Sequence, residues 1–144
     1  MGTAFSVYDI RGRVDESLTT EYVWNVGKAL ADWLPDDGVV IVAQSEEADA
    51  TTVHALTEGL LLQGRGVVDA GQATKDALQG IVIDKQAAGG VHIAHDPLQG
   101  IEIITILGAR GVAVTQENGL TDIDQLVQAG NFVPAAAKGE TSPL

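Results

Sequence analysis

The stretch Val91-His-Ile-Ala-His-Asp-Pro-Leu-Gln-Gly-Ile-Glu-Ile-Ile-Thr-Ile-Leu107 limits the possible folds of this chain more than any other. It holds two apolar, β-branched runs, Val91–Ala94 and Gly100–Leu107, joined by Asp96-Pro-Leu-Gln-Gly100. That link is too short for a helical crossover, so the second strand must run antiparallel to the first. Elsewhere Val39-Val-Ile-Val-Ala43 and Gly66-Val-Val-Asp-Ala70 alternate with helical patterns, and a continuous β-branched run such as 39–43 reads as a strand covered on both faces.

Thr19 is placed to cap a helix in which Tyr22, Val23, Val26, Leu30, Trp33 and Leu34 recur at helical spacing before Pro35 stops it. A second helix is predicted over Asp49–Gln63, ended by Gly64, and a third over about Thr74–Ala87. Thr121 is expected to cap a last helix through Ala129, and Val112–Val114 to add a short strand extension. Strands alternating with helices imply an α/β protein, a three-layer α/β/α sandwich around a mixed, mostly parallel sheet of about four strands. The chain of 144 residues suits one domain, read as 1–134, with 135–144 as a weakly packed tail.

Composition narrows the function. Eight basic residues against 20 acidic ones give a formal charge of −12, a field that repels nucleic acid and anionic membranes. Without cysteine there is neither a disulfide framework nor a thiolate metal site. No signal segment or membrane-length apolar run is read, so a cytoplasmic location is expected. The Gly-rich pieces Gly64-Arg-Gly66, Gly89-Gly90 and Gly108-Ala-Arg-Gly111 lack the spacing of a nucleotide loop and read as turns. His92, His95 and Asp96 carry metal-ligand chemistry, but on a strand positions 92 and 95 point to opposite faces. His54 reads as an exposed helix residue, and the acidic run Glu46-Glu-Ala-Asp49 as a solvated first helical turn facing the helix dipole.

Two segments carry a resemblance. Phe5-Ser-Val-Tyr-Asp-Ile-Arg-Gly12, followed by Leu18-Thr19-x-Glu21-Tyr22, and Gly89-Gly-Val before the His95-Asp-Pro loop and Gly100-Ile-x-Ile103 resemble the first domain of the α-D-phosphohexomutases, the phosphoglucomutase/phosphomannomutase family. There a Tyr-Asp-Ile-Arg-Gly segment precedes a Thr-Ala-Ser-His-Asn-Pro loop and Asn-Gly-Ile-Lys-Ile, and the loop serine carries the transferred phosphoryl group. The resemblance implies a mixed four-stranded sheet. It places Tyr8 and Arg11 at the reaction cleft, Arg11 offering a guanidinium to phosphate, and His95 and Asp96 in the reactive loop. An Asp9-x-Arg11 pair is equally able to brace a loop.

Departures from the pattern bear on function. Ala94 stands where the family has its phosphoserine, the loop is about two residues shorter, and Asp96 replaces Asn. Ala43-Gln-Ser-Glu-Glu47 replaces a Gly-Arg-Asp-x-Arg segment, exchanging arginines for Gln44 and Glu47, and Thr74-Lys75 replaces Thr-Pro. The family's magnesium loop, Asp-x-Asp-x-Asp-Arg, has no counterpart; Asp122-Ile-Asp124 lacks its third Asp and Arg. The resemblance thus implies a stand-alone, degenerate copy with no catalytic residue at position 94, needing no cofactor. It would act through a homo-oligomer, a protein partner or a weakly held phosphosugar, the alternative being one subunit of a split phosphohexomutase. The phosphate- or ligand-binding candidates Tyr8, Arg11, His95 and Asp96 follow from it.

Overall fold

Residues 5–144 are described by the computed structural model of the chain; residues 1–4 of the expected domain lie outside the described residues. The run at 39–43 has apolar side chains for both faces, and it occupies the interior of the sheet as expected. Strand β1 is Ile10–Gly12, β2 is Val40–Gln44, β3 is Val67–Gln72, β4 is Gly89–Asp96, β5 is Ile101–Leu107 and β6 is Thr141–Pro143. They form one sheet in the order β1-β5-β4-β2-β3-β6. β2 pairs parallel with β3 and β4, β3 pairs parallel with β6, and β5 is antiparallel to β4 and β1.

Helices α1 (Thr20–Trp33), α2 (Ala50–Leu62) and α4 (Leu120–Ala129) cover one face, and α3 (Lys75–Lys85) covers the other. Alternation divides β2 between the layers. Val40 and Val42 enter the core with Leu30, Leu56 and Ile123, whereas Ile41 and Ala43 pack with Leu78 and Val82 of α3. Between α1 and α2 the backbones meet at Gly27 and Gly59. A Cβ at Gly27 would stand 2.3 Å from the Leu56 carbonyl oxygen, and one at Gly59 would stand 2.2 Å from that of Trp24. Close helix contact here requires glycine on both partners.

Several expectations are corrected. The sheet has six strands rather than about four, because Ile10–Gly12 and Thr141–Pro143 are three-residue edge strands too short to carry a period. The 135–144 segment is attached mainly by backbone: Ala135 and Gly139 N–H groups donate to the carbonyls of Leu62 and Leu61, and the β6 side chains are exposed. Thr121 does not cap α4. Gly119 occupies the cap position, Leu120 is already helical, and the Thr121 hydroxyl donates to the Gln116 carbonyl at 3.4 Å. Glu46 and Glu47 precede the first turn of α2, because Asp49 keeps extended backbone and caps the helix itself, accepting from Thr52 N–H at 2.9 Å. Thr19 caps α1 as read, Thr74 caps α3, and Val112–Val114 adds an isolated bridge between Leu107 and Ala113. No helix among the described residues is long and apolar enough to cross a membrane.

Arg65 and His92 are among the polar groups buried within these layers. α1 ends without a basic residue in its last turn, and Arg65, arriving after α2, supplies the missing donors. Its Nε and Nη2 donate to Ala31 O at 3.1 and 2.9 Å, Nη2 also to Leu34 O at 2.8 Å, and Nη1 to Gly38 O at 3.0 Å and to Asp36 O. All five guanidinium hydrogens meet carbonyls. Burial lowers the guanidinium's pKa, while Asp37, Asp32 and Asp36 oppose that shift. His92, 5% exposed, donates Nε2–H to Ala73 O at 2.7 Å. Burial lowers its pKa and the charge of Lys75 adds to the lowering, against the hydrogen bond to Ala73.

Arg65→Met should therefore cost about 3 kcal/mol in urea denaturation, because it strands several buried carbonyls; a loss below about 1 kcal/mol contradicts the capping role. For His92 the sign follows from its lowered folded pKa. The unfolded chain takes up a proton first, so the stability this group contributes is complete above about pH 6.5 and declines as pH falls from there. The urea-derived stability should drop as pH falls below about 6.5, with a slope of up to about 1.4 kcal/mol per unit from this group. His92→Gln should flatten that slope, and an unchanged slope would assign it to other groups.

Candidate functional site

Register across three strands places the loop residues. In β4 and β5, Ala94 faces Ile103, His95 faces Glu102 and Asp96 faces Ile101; in β1 and β5, Arg11 faces Ile103 and Gly12 faces Glu102. Residues directly opposite share a face, so Ala94 and Arg11 lie on the α3 side with Ile103 between them, two strand spacings or roughly 10 Å apart. His95 and Glu102 lie on the α1–α2 side. The sheet thus separates two residues that the sequence placed in one site, Arg11 and His95.

On the α3 side, Arg11 grips Asp9 with a two-point fork, Nε to Oδ1 and Nη2 to Oδ2, both at 2.8 Å. Burial pushes the Asp9 carboxyl up, but hydrogen bonds from Arg11 and Ser6 and the charges of Arg11 and Lys75 hold it below its ordinary value. Asp9 reciprocally raises the Arg11 pKa by hydrogen bond and charge, with a further contribution from the charge of Asp96. The pair braces the loop, and Arg11 Nη1 stays outside the fork. Tyr8, 70% exposed, lines an open cleft of about 280 Å³ together with Asp9, Lys75, Asp76 and Thr105. In that cleft Lys75 stands with two carboxylates, Asp9 and Asp76, and Asp9 is the one held by Arg11.

Asp96 is committed to the turn: Oδ1 accepts from the N–H groups of Leu98 and Gln99 at 3.0 and 3.4 Å, and Oδ2 from Gln99 Nε2 at 3.1 Å. An aspartate that hydrogen-bonds the backbone two residues on is a strong turn organiser, which explains how so short a loop closes the hairpin.

Sequence reasoning missed Glu102. Glu102 is 1% exposed; its Oε1 accepts from Asp49 N–H at 2.7 Å and its Oε2 from His95 Nδ1. The signal was available: in the apolar run 101–107, Glu102 shares parity with Ile104 and Ile106, which are buried. Glu102 also stands where the resembled segment has Lys, a reversal of charge. Ser45, the residue after β2, brings a hydroxyl to the loop, its Oγ accepting from His95 N–H at 3.3 Å. His95 in turn lines an open cleft of about 350 Å³ with Arg13, Glu16, Glu47 and Asp49.

The family's magnesium ligands find no equivalent. Asp122 and Asp124 flank buried Ile123 on α4, and Asp124 accepts from Gln128 at 3.4 Å. Two carboxylates two residues apart do not share a helix face, and no group of three His, Asp or Glu side chains able to hold a metal occurs among the described residues. These residues do not fit the ion.

Residues 2–133 match the family model for phosphoglucomutase/phosphomannomutase, alpha/beta/alpha domain I. The chain is 30% identical over 143 residues to the phosphomannomutase of Salmonella typhimurium, covering 95% of this chain and 31% of that protein. It is 35% identical over 118 residues to the phosphoglucosamine mutase of Prochlorococcus marinus, covering 76% of this chain and 25% of the relative. A phosphoglucomutase/phosphomannomutase family protein from Burkholderia thailandensis has the same fold at 19% identity, with a TM-score of 0.82 over 97% of this chain and 32% of that one. The chain spans about a third of the length of these relatives or less. Matched by that model over residues 2–133, this chain belongs to the phosphoglucomutase/phosphomannomutase family and represents its α/β/α domain I.

Proposed function

We propose that this domain binds phosphosugar through the Arg11 corner without completing the family's phosphoryl exchange. A mutase needs an acceptor that holds the phosphoryl group between two transfers to one sugar, and Ala94 has no hydroxyl to offer. The observation carrying the binding half is the Asp9–Arg11 fork. It fixes a guanidinium edge on the face that carries Ala94, and a preorganised guanidinium suits phosphate. Lys75, beside Asp9 in the same cleft, adds a second cation.

A second reading, one subunit of a split phosphohexomutase, is favoured by the exposure of Leu98 at the hairpin tip, 96%, and of Tyr8, 70%. Apolar side chains projecting from the site-bearing edge suit coverage by another domain or a second copy.

Calorimetry with a hexose 1,6-bisphosphate should show weak binding that Arg11→Ala reduces at least tenfold; equal affinity removes Arg11 from the site. The purified domain alone should not interconvert hexose 1- and 6-phosphates, and measurable turnover overturns the silent reading. For the split-enzyme alternative, adding this chain to a relative lacking its own first domain should restore turnover. Light scattering of this chain alone should show self-association at tens of micromolar, about the range of weak specific interfaces; a strict monomer rejects the homo-oligomer.

A further inference from the structure

The α1–α2 side of the hairpin holds a group that the phosphosugar reading does not use. Glu102 is buried, and its two oxygens accept from two donors, the Asp49 N–H at the start of α2 and the His95 ring. A carboxylate can only accept, so His95 Nδ1 carries the hydrogen, and in the neutral ring the lone pair resides on Nε2. The His95 side chain is 31% exposed against 2% for Glu102, so one edge of the ring is locked in the protein and the rest meets the cleft. A base whose far nitrogen is oriented by a buried carboxylate is the arrangement a nucleophilic imidazole requires.

We infer that His95 is a phosphoryl acceptor at Nε2. The Nε2 lone pair attacks phosphorus, the nitrogen–phosphorus bond forms as the donor's phosphorus–oxygen bond breaks, and with acetyl phosphate as donor acetate leaves carrying the bonding electrons. No proton has to move: Nδ1 keeps its hydrogen, and the positive charge gained by the ring faces Glu102. Among the carboxylates around the cleft, Asp49 is turned to the cap of α2 and Glu16 to Arg13 at 3.7 Å. Glu47 opposes the incoming phosphate and Arg13 favours it. The donor needs no sugar, so this inference stands or falls separately from Arg11 binding.

Incubation with acetyl phosphate, followed by intact mass and peptide mapping under neutral conditions, tests it. The expected product is one phosphoryl group on His95 that survives alkali and is lost in mild acid, formed at least tenfold faster than on exposed His54 of α2. Glu102→Gln should slow it tenfold or more. Should that variant fail to fold, nitrogen NMR of the wild-type ring decides, since hydrogen on Nε2 rather than Nδ1 refutes the inference. So do an acid-stable phosphoryl group on Ser45, a hydroxylamine-sensitive one on Asp96, and equal labelling of His95 and His54.

Discussion

The central constraint on this protein is that β2 and β4 are covered on both faces. Each is flanked by strands on both sides, β2 by β3 and β4, and β4 by β2 and β5. Their side chains therefore feed two separate cores, one under α1, α2 and α4 and one under α3. Parallel strands in that position require helices on both sides, and the crossovers that deliver the helices bring the strand ends to one edge. Ser45 after β2, Ala73 after β3 and Ala94–Asp96 at the end of β4 all arrive there. The site is thus a by-product of how the core is buried.

The same constraint decides where charge can go. In a chain with formal charge −12, Arg65 and Glu102 are nonetheless built into the layers, and each is satisfied in a different way. Arg65 meets only carbonyls, using the negative end of α1 in place of a carboxylate. Glu102 meets one backbone N–H and one imidazole, tying the β4–β5 hairpin to the start of α2. Removing either partner from such an arrangement leaves a buried polar group exposed to apolar surroundings, which is costly whether or not the intact pair is stabilising.

Much of this was legible in the residues. The alternation of helix and strand, the antiparallel hairpin and the cap at Thr19 rest on local rules, and there local rules held. β1 and β6 were not legible, because three residues carry no periodicity and their pairing is set by distant strands. α4 was misread at its start because Thr121 looks like a cap in sequence, whereas the chain uses the positive φ of Gly119, 152°, to turn into the helix two residues earlier. At the site, the family segments located the loop. Glu102 escaped notice because a charge within an apolar strand has no meaning until its parity is matched to that of Ile104 and Ile106.

Parity also explains why the candidate residues do not form one cluster. A sheet transmits side chains to alternate faces, so neighbours in sequence such as Ala94 and His95 belong to different compartments. Arg11, Lys75 and Asp96 share the α3 side with Ala94, while His95 and Glu102 address the opposite cleft with Asp49. An anion held at Arg11 consequently leaves the His95 ring free, and chemistry at Nε2 leaves the Asp9–Arg11 fork intact. Alanine at position 94 offers no hydroxyl, and the hydrogen bonds that hold each compartment in shape run through other groups. The β4–β5 hairpin is held in shape by Asp96, Glu102 and Ser45, which bind it through its own backbone and the His95 ring, so its geometry does not depend on the side chain at position 94.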